Sequence, residues 1–138
     1  MNAKQKGNLT ELQCICAFYS LGYHVCIPYG EDSRYDFIAD IEGKLKRIQV
    51  KTAKENEDGS IEFSCRSTRV NSTGSIHRKY TKEEIDYFAT YYNNICYLIP
   101  VEECSGTKTL RFVETKNNQK TKINLASEYE IDKIIKKM

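Results

Sequence analysis

Apolar residues recur at helical spacing near the start of the chain. Leu9, Leu12, Cys16 and Tyr19, widened by Ile15 and Phe18, predict a helix over residues 8–21. Asn8 or Thr10 is placed to cap it, and Gly22 to end it. His24 to Pro28 reads as a short strand. Residues 35–41 and 45–53 alternate in character around Glu42-Gly43-Lys44, the pattern of a β-hairpin. Beyond the turn at Asn56-Glu57-Asp58-Gly59, residues 61–65 read as a third strand of the same antiparallel set. The polar run from Arg66 to Lys79 reads as an exposed loop. Thr81 and Glu84 make a capping-box pair, and Ile85, Phe88, Ala89 and Tyr92 predict a second amphipathic helix behind it. Residues 95–101 are nearly continuously apolar, as in a strand covered on both faces. Residues 110–113 predict one more strand, and Ser127 caps a last helix carrying Ile131, Ile134 and Ile135. The order α-β-β-β-β-α-β-β-α predicts an α/β sandwich with a mixed sheet.

Composition narrows this picture. A chain of 138 residues, 40% hydrophobic and 29% charged, predicts one domain over residues 1–138, with 105–138 as a peripheral extension. No run approaches the about 18 apolar residues of a membrane span, and MNAKQKGNLTE lacks the apolar stretch of an export signal. A cytoplasmic location is therefore expected. Lys and Arg number 21 against 19 Asp and Glu, a formal charge of +2. That balance argues against a generic polyanion binder while leaving room for a local basic patch. The six cysteines at 14, 16, 26, 65, 96 and 104 show no CxxC pair and no histidine at zinc-finger spacing, so reduced, inert thiols are expected. With only His24 and His77 available, catalysis would have to run on carboxylates, amides and lysine.

Two neighbouring strands supply those groups. Gln49 and Lys51 are two apart and project from one face. A loop of Glu42-Gly43 pairs Asp36 with Gln49, and one of Gly43-Lys44 pairs it with Lys51; either register brings all three to the same face. Glu11 falls between the directions of Phe18 and Ile15 on the first helix, inside the apolar arc and in the expected first turn. A carboxylate there needs a cation or a partner. Asp36, Gln49 and Glu11 together suit Mg²⁺, with Lys51 placed to orient a water or stabilise charge in phosphodiester hydrolysis. A solvated sheet face carrying an Asp–Lys pair has the same spacing. On spacing alone both readings stand.

The runs Tyr35-Asp36-Phe37-Ile38-Ala39-Asp40 and Ile48-Gln49-Val50-Lys51-Thr52-Ala53 resemble the core of the PD-(D/E)xK nuclease superfamily. Gly7-x3-Glu11 and the segment from Ala17 to Pro28 resemble its acid-bearing helix. The QVKT element, Glu84-Ile85-Asp86-Tyr87-Phe88 and Cys96-Tyr97-Leu98-Ile99-Pro100 are similar to the branch associated with group I intron homing endonucleases. The likeness runs from about Lys6 to Val101 and is weakest in the C-terminal third. It implies a restriction-endonuclease-like core, a mixed sheet flanked by helices in the order αβββαβ. It further implies a metal-dependent DNA endonuclease acting on double-stranded DNA with Mg²⁺, for which Mn²⁺ substitutes. Asp36, Gln49, the Val50 carbonyl and Glu11 become metal ligands, and Lys51 the catalytic lysine. Gln49 stands where the family has Asp or Glu, which removes one negative charge. Asp40 and Glu42 are weaker candidates as extra ligands, lying toward the turn.

For DNA contacts the expectation is Arg66, Arg69, His77, Arg78 and Lys79, with Arg34 near the site entrance. So even a net charge also predicts a homodimer or tetramer that pools binding surface. Two other readings compete: a non-catalytic DNA-binding or regulatory protein on a nuclease scaffold, and a partner-binding subunit using Tyr91-Tyr92-Asn93-Asn94.

Overall fold

Asn2, rather than Asn8 or Thr10, starts the first helix. Its side chain accepts the Gln5 N–H at 2.8 Å while Gln5 Oε1 accepts the Asn2 N–H at 2.9 Å, a reciprocal cap. Helix α1 therefore spans Ala3–Ser20, and Glu11 lies in its third turn, away from the terminal dipole. The structure, a computed structural model, describes residues 1–113 and 124–138, apart from the side chains of residues 69–71. Arg69 is thus placed by its backbone alone.

The buried face of α1 is also displaced from the expected stripe. Thr10, Cys14 and Phe18 are buried, while Leu9, Leu12, Cys16 and Tyr19 are exposed. The helix is apolar on two sides, so periodicity alone does not say which side meets the sheet. Phe18 settles it, packing edge-on against Phe37 at 5.6 Å between ring centroids.

Strand β1 (His24–Cys26) is followed by β2 (Phe37–Ile41) and β3 (Lys44–Val50), which form the expected hairpin. Ile41 pairs with Lys44 and Phe37 with Ile48. Glu42 (φ +54°) and Gly43 (φ +90°) make the two-residue turn, both left-handed as a hairpin of this twist requires. Next come β4 (Lys54–Glu55), β5 (Ile61–Ser64), β6 (Arg66–Asn71) and β7 (Gly74–Lys79). Then follow β8 (Tyr87–Tyr92), β9 (Ile95–Pro100), β10 (Thr107–Leu110) and the short helix α2 (Ile131–Ile135). Single 3-10 turns precede β10 and α2.

The described strands form three sheets. The main one has the order β1-β2-β3-β8-β9, mixed because β3 and β8 run parallel. This is the mixed-sheet α/β core that the sequence predicts; the last helix starts after Glu130 rather than at Ser127, which lies in a 3-10 turn, and three larger differences remain. Strand β5 does not extend the hairpin sheet; it pairs with β4 and β10 instead. Residues 66–79 are a two-stranded ribbon, β6–β7, rather than a loop. Every described side chain of β7 is exposed, and a ribbon wet on both faces leaves no hydrophobic alternation to read.

The segment read as a second helix is the third difference. Thr81 and Glu84 do form their cap contact, with the Thr81 N–H 3.2 Å from Glu84 Oε1. Only one turn follows before Tyr87–Tyr92 enters the sheet between β3 and β9. That run is aromatic and β-branched enough for a strand, and its ladders satisfy two sets of backbone groups at once. Phe18, Phe37, Ile48, Ile85, Phe88, Leu98 and Ile99 are fully buried between α1, the main sheet and the smaller one. Each contributes about 1.5–3 kcal/mol by leaving water. Leu110, Ala126, Tyr129 and Ile134 join the same apolar cluster. Among the described residues no helix is long and apolar enough to cross a membrane.

Candidate active site

Asp36 precedes β2, yet its N–H bonds to the Ile48 carbonyl at 2.8 Å and prolongs the ladder. Phe37 faces the core opposite Ile48. One step further, Asp36 and Gln49 lie side by side on the opposite face. Asp36 Oδ2 accepts the Val50 N–H at 2.7 Å; among the described residues Oδ1 accepts no hydrogen bond. Burial raises the Asp36 pKa by more than the Val50 N–H and the Lys51 charge lower it.

Glu11 reaches this carboxylate from α1. Burial, then the charge of Asp36, raise its pKa. Both groups line one cavity of about 240 Å³, together with Glu31, Ser33 and Tyr35. The helix is held close to the end of β3 at Thr10, whose Oγ1 lies 3.3 Å from Thr52 Oγ1. A Cβ at Gly7 would stand 4.0 Å from the same Thr52 oxygen, an ordinary contact.

Gln49 turns Nε2 toward the Val50 carbonyl at 3.4 Å, which leaves Oε1 as its outward acceptor. Lys51 is held from three sides. Its N–H bonds to the Ala89 carbonyl, its Nζ donates to the Arg66 carbonyl at 2.9 Å, and Nζ stands 5.2 Å from the centre of the Tyr80 ring. Burial lowers its pKa by more than the nearby charge of Asp36 raises it. A half-buried acid and lysine whose charges act on each other differ from a solvated sheet face.

Tyr80 is absent from the sequence reading and central here. The Arg34 guanidinium stacks on its ring at 3.8 Å, Lys51 lies over the same ring, and Phe88 meets it edge-on at 5.4 Å. Nothing in its neighbours' spacing signals this, because Arg34 and Lys51 come from segments outside the strands and remote from it in the chain. Glu31, the other unforeseen lining residue, sits in a loop whose path no periodicity specifies.

The expected DNA contacts separate into two groups. Arg34 is committed within the chain, donating to Glu84 (2.9 Å), Ser67 (2.8 Å) and the Lys79 carbonyl (3.0 Å). Arg78 shares Glu84 with it at 2.9 Å, although most of its side chain is exposed. On the ribbon, Arg66 pairs with Lys79 and Thr68 with His77, which places these four on one face. The Arg69 side chain lies outside the described residues. Asp40 caps the hairpin turn by accepting the Gly43 N–H at 2.8 Å, and Glu42 is exposed in that turn; neither lines the cavity.

Among the described residues no three of His, Cys, Asp and Glu converge as a metal cluster. Glu11 and Asp36 share one cavity, and Gln49 and Val50, which do not line it, lie next to Asp36 on the hairpin; all four offer oxygen donors. Such a set suits Mg²⁺, which takes one or two protein carboxylates and keeps its waters.

The sequence matches the model of a family described as PD-(D/E)XK endonuclease over residues 1–132. Among solved structures the chain is similar to a bacterial homing endonuclease, I-Ssp6803I. The TM-score is 0.79 and the identity 24%, covering 99% of this chain and 95% of that one. That likeness establishes the fold. Among curated proteins none matches.

Proposed function

We propose, from the premise that the chain belongs to the PD-(D/E)XK endonuclease family, that it hydrolyses phosphodiester bonds of double-stranded DNA with Mg²⁺ at the Glu11–Asp36–Gln49–Lys51 cleft. The observation that carries this is the pair of half-buried carboxylates, Glu11 and Asp36, lining one cavity, with the half-buried Lys51 close enough for its charge to act on Asp36. Asp36, Glu11, Gln49 Oε1 and the Val50 carbonyl would hold the cation, which when bound polarises a phosphoryl oxygen and acidifies a water.

The chain's own groups supply the rest. Lys51, fixed by the Arg66 carbonyl and Tyr80, presents its ammonium to the phosphate and stabilises charge that develops there. Asp36, locked by the Val50 N–H, keeps its free oxygen aimed into the cleft. Arg66, His77, Arg78 and Lys79 on the β6–β7 ribbon are assigned to phosphate contact, with Arg69 kept as a further candidate. A two-stranded ribbon is narrow enough to enter the major groove. Arg34 is assigned instead to holding the ribbon against Tyr80 and Glu84.

With plasmid and Mg²⁺ the protein is expected to nick or linearise, and Lys51→Ala to lose about 10²-fold or more of the rate. Equal cleavage by Lys51→Ala would overturn the assignment. Gln49 favours one alternative, a scaffold that binds DNA without cutting it. Calorimetry separates the two: a catalytic site takes up Mn²⁺ with heat that disappears in Asp36→Ala, and a silent scaffold gives none.

A further inference from the structure

The loop after β1 carries two apolar side chains into water beside the acid pair. Ile27 is 63% exposed, and Tyr29 is fully exposed, its ring as open as in an extended peptide. Pro28 stiffens the chain between them, and Gly30, at φ +93°, turns it directly after Tyr29. Tyr29 is therefore held on the outside of a bend. Single exposed tyrosines are ordinary on a protein surface; this one differs by its place. Ile27 and Pro28 line the cavity of about 240 Å³ that holds Glu11 and Asp36. Pro28 and Tyr29 line a second cavity, of about 500 Å³. The two adjoin, with Pro28, Ser33 and Tyr35 as their common wall.

The second cavity falls in the size range of small-molecule sites, about 300–1,000 Å³, but its charged groups are already engaged. Arg34 is bonded to Glu84, Ser67 and the Lys79 carbonyl, and Arg47 to Asp86 and the carbonyls of Lys82 and Glu83. Glu84 accepts Arg78 as well. The exposed Glu83 adds negative charge to the same wall, which repels a phosphate. What remains for a newcomer is the ring surface of Tyr29 and of the half-buried Tyr35. A nucleobase, flat, uncharged and with a π-face, matches that surface.

We propose that Tyr29 and Tyr35 form a stacking platform for the base next to the scissile phosphate, so that the strand enters the cleft with that base drawn out of the helical stack. This deepens the nuclease reading above and rests on it, because the phosphate in the acid-lined cavity fixes where its neighbouring base falls. Stacking of this kind is tolerant of sequence, since every base presents a π-face. Unstacking is costly in an intact duplex and least so at a mismatch. A duplex with an unpaired base is therefore expected to bind more tightly than its matched counterpart.

The chain contains no Trp, so Tyr29→Trp introduces a single fluorescent reporter, whose emission stacking on a base quenches. The full chain with this substitution is titrated with a mixed-sequence duplex in chelator, which keeps the DNA intact, while anisotropy of the labelled DNA follows binding. Tyr19→Trp, exposed on α1 and outside both cavities, is the control. Expected is quenching at position 29 and none at position 19. Tyr29→Ala is expected to weaken binding by about fivefold to a hundredfold, as when a base loses its aromatic partner. The slope of log K against log salt stays unchanged, because no phosphate contact is lost, and Tyr29→Phe, which keeps the ring, restores the affinity. Binding without quenching at position 29 overturns the platform, and so does parental affinity in Tyr29→Ala. Emission from Tyr29→Trp that changes with protein concentration before DNA is added places a second copy on the ring and overturns it too. Quenching in a protein whose parent never nicks plasmid with Mg²⁺ overturns the cleavage reading and leaves the base contact standing, whereas a parent that binds no duplex removes both.

Discussion

Glu11 has burial and the charge of Asp36 acting against its ionisation, and no described residue donates a hydrogen bond or ion pair to relieve it. A side chain of this kind lowers the stability of the folded protein, a cost that the proposed cation would offset. Glu11→Gln removes the repulsion while preserving the shape. In chelator at neutral pH the variant is expected to melt above the parent. Added Mg²⁺ is expected to raise the parent's melting temperature more than the variant's, because a ligand stabilises the folded form it binds. Thermal denaturation of both proteins with and without Mg²⁺ checks this, and equal shifts in the two would remove Glu11 from the ligand set.

The segment between β7 and β8 is held by its ends rather than by helical periodicity. Arg47 on β3 donates through Nε (3.1 Å) and Nη2 (3.2 Å) to the Asp86 carboxylate, whose Oδ2 also accepts the Arg47 N–H at 2.8 Å. The same guanidinium bonds to the carbonyls of Glu83 and Lys82. Burial opposes ionisation of Asp86, but the bonds from Arg47 outweigh it and hold the carboxyl below its ordinary pKa. A folded pKa below the unfolded one means stability that is present above the unfolded value and lost as pH falls through the folded value. Asp86→Asn is therefore expected to cost about 1–2 kcal/mol at neutral pH and progressively less in acid. Urea denaturation of both forms between neutral and acid pH measures the gap, and a constant gap would contradict the assignment.

Across the whole molecule the charge is nearly balanced, yet its distribution is uneven. Arg66, His77, Arg78 and Lys79 gather on one projecting ribbon, and Glu84 ties the base of that ribbon to Arg34 and Arg78. Under the proposed function, a protein so close to neutrality would meet a polyanion through that ribbon. Lys79→Ala is expected to weaken duplex binding by a similar factor for every sequence. It is also expected to reduce the slope of log K against log salt by about 0.9, one phosphate contact. Fluorescence anisotropy across a salt series reads both, and an unchanged slope would take Lys79 off the DNA path.

The shared face of Asp36, Gln49 and Lys51 is legible in the chain, because both registers that the turn allows keep it and the alternation of Phe37, Ala39 and Ile41 forbids a slip of one residue. The structure chooses the Glu42-Gly43 turn, which sets Asp36 opposite Gln49 rather than Lys51. Glu11 beside Phe18 follows equally from angular spacing on a helix. Which side of α1 turns inward is not local, since Leu9 and Leu12 offer water an apolar stripe as good as the buried one; only packing of Phe18 on Phe37 decides it. Residues 87–92 become strand because β3 and β9 supply partners on both sides, overriding a capping pair that forms all the same. Tyr80 between Arg34 and Lys51 arises the same way. Short-range sterics set turns, faces and register, whereas contacts between remote strands exist only once the chain has closed on itself.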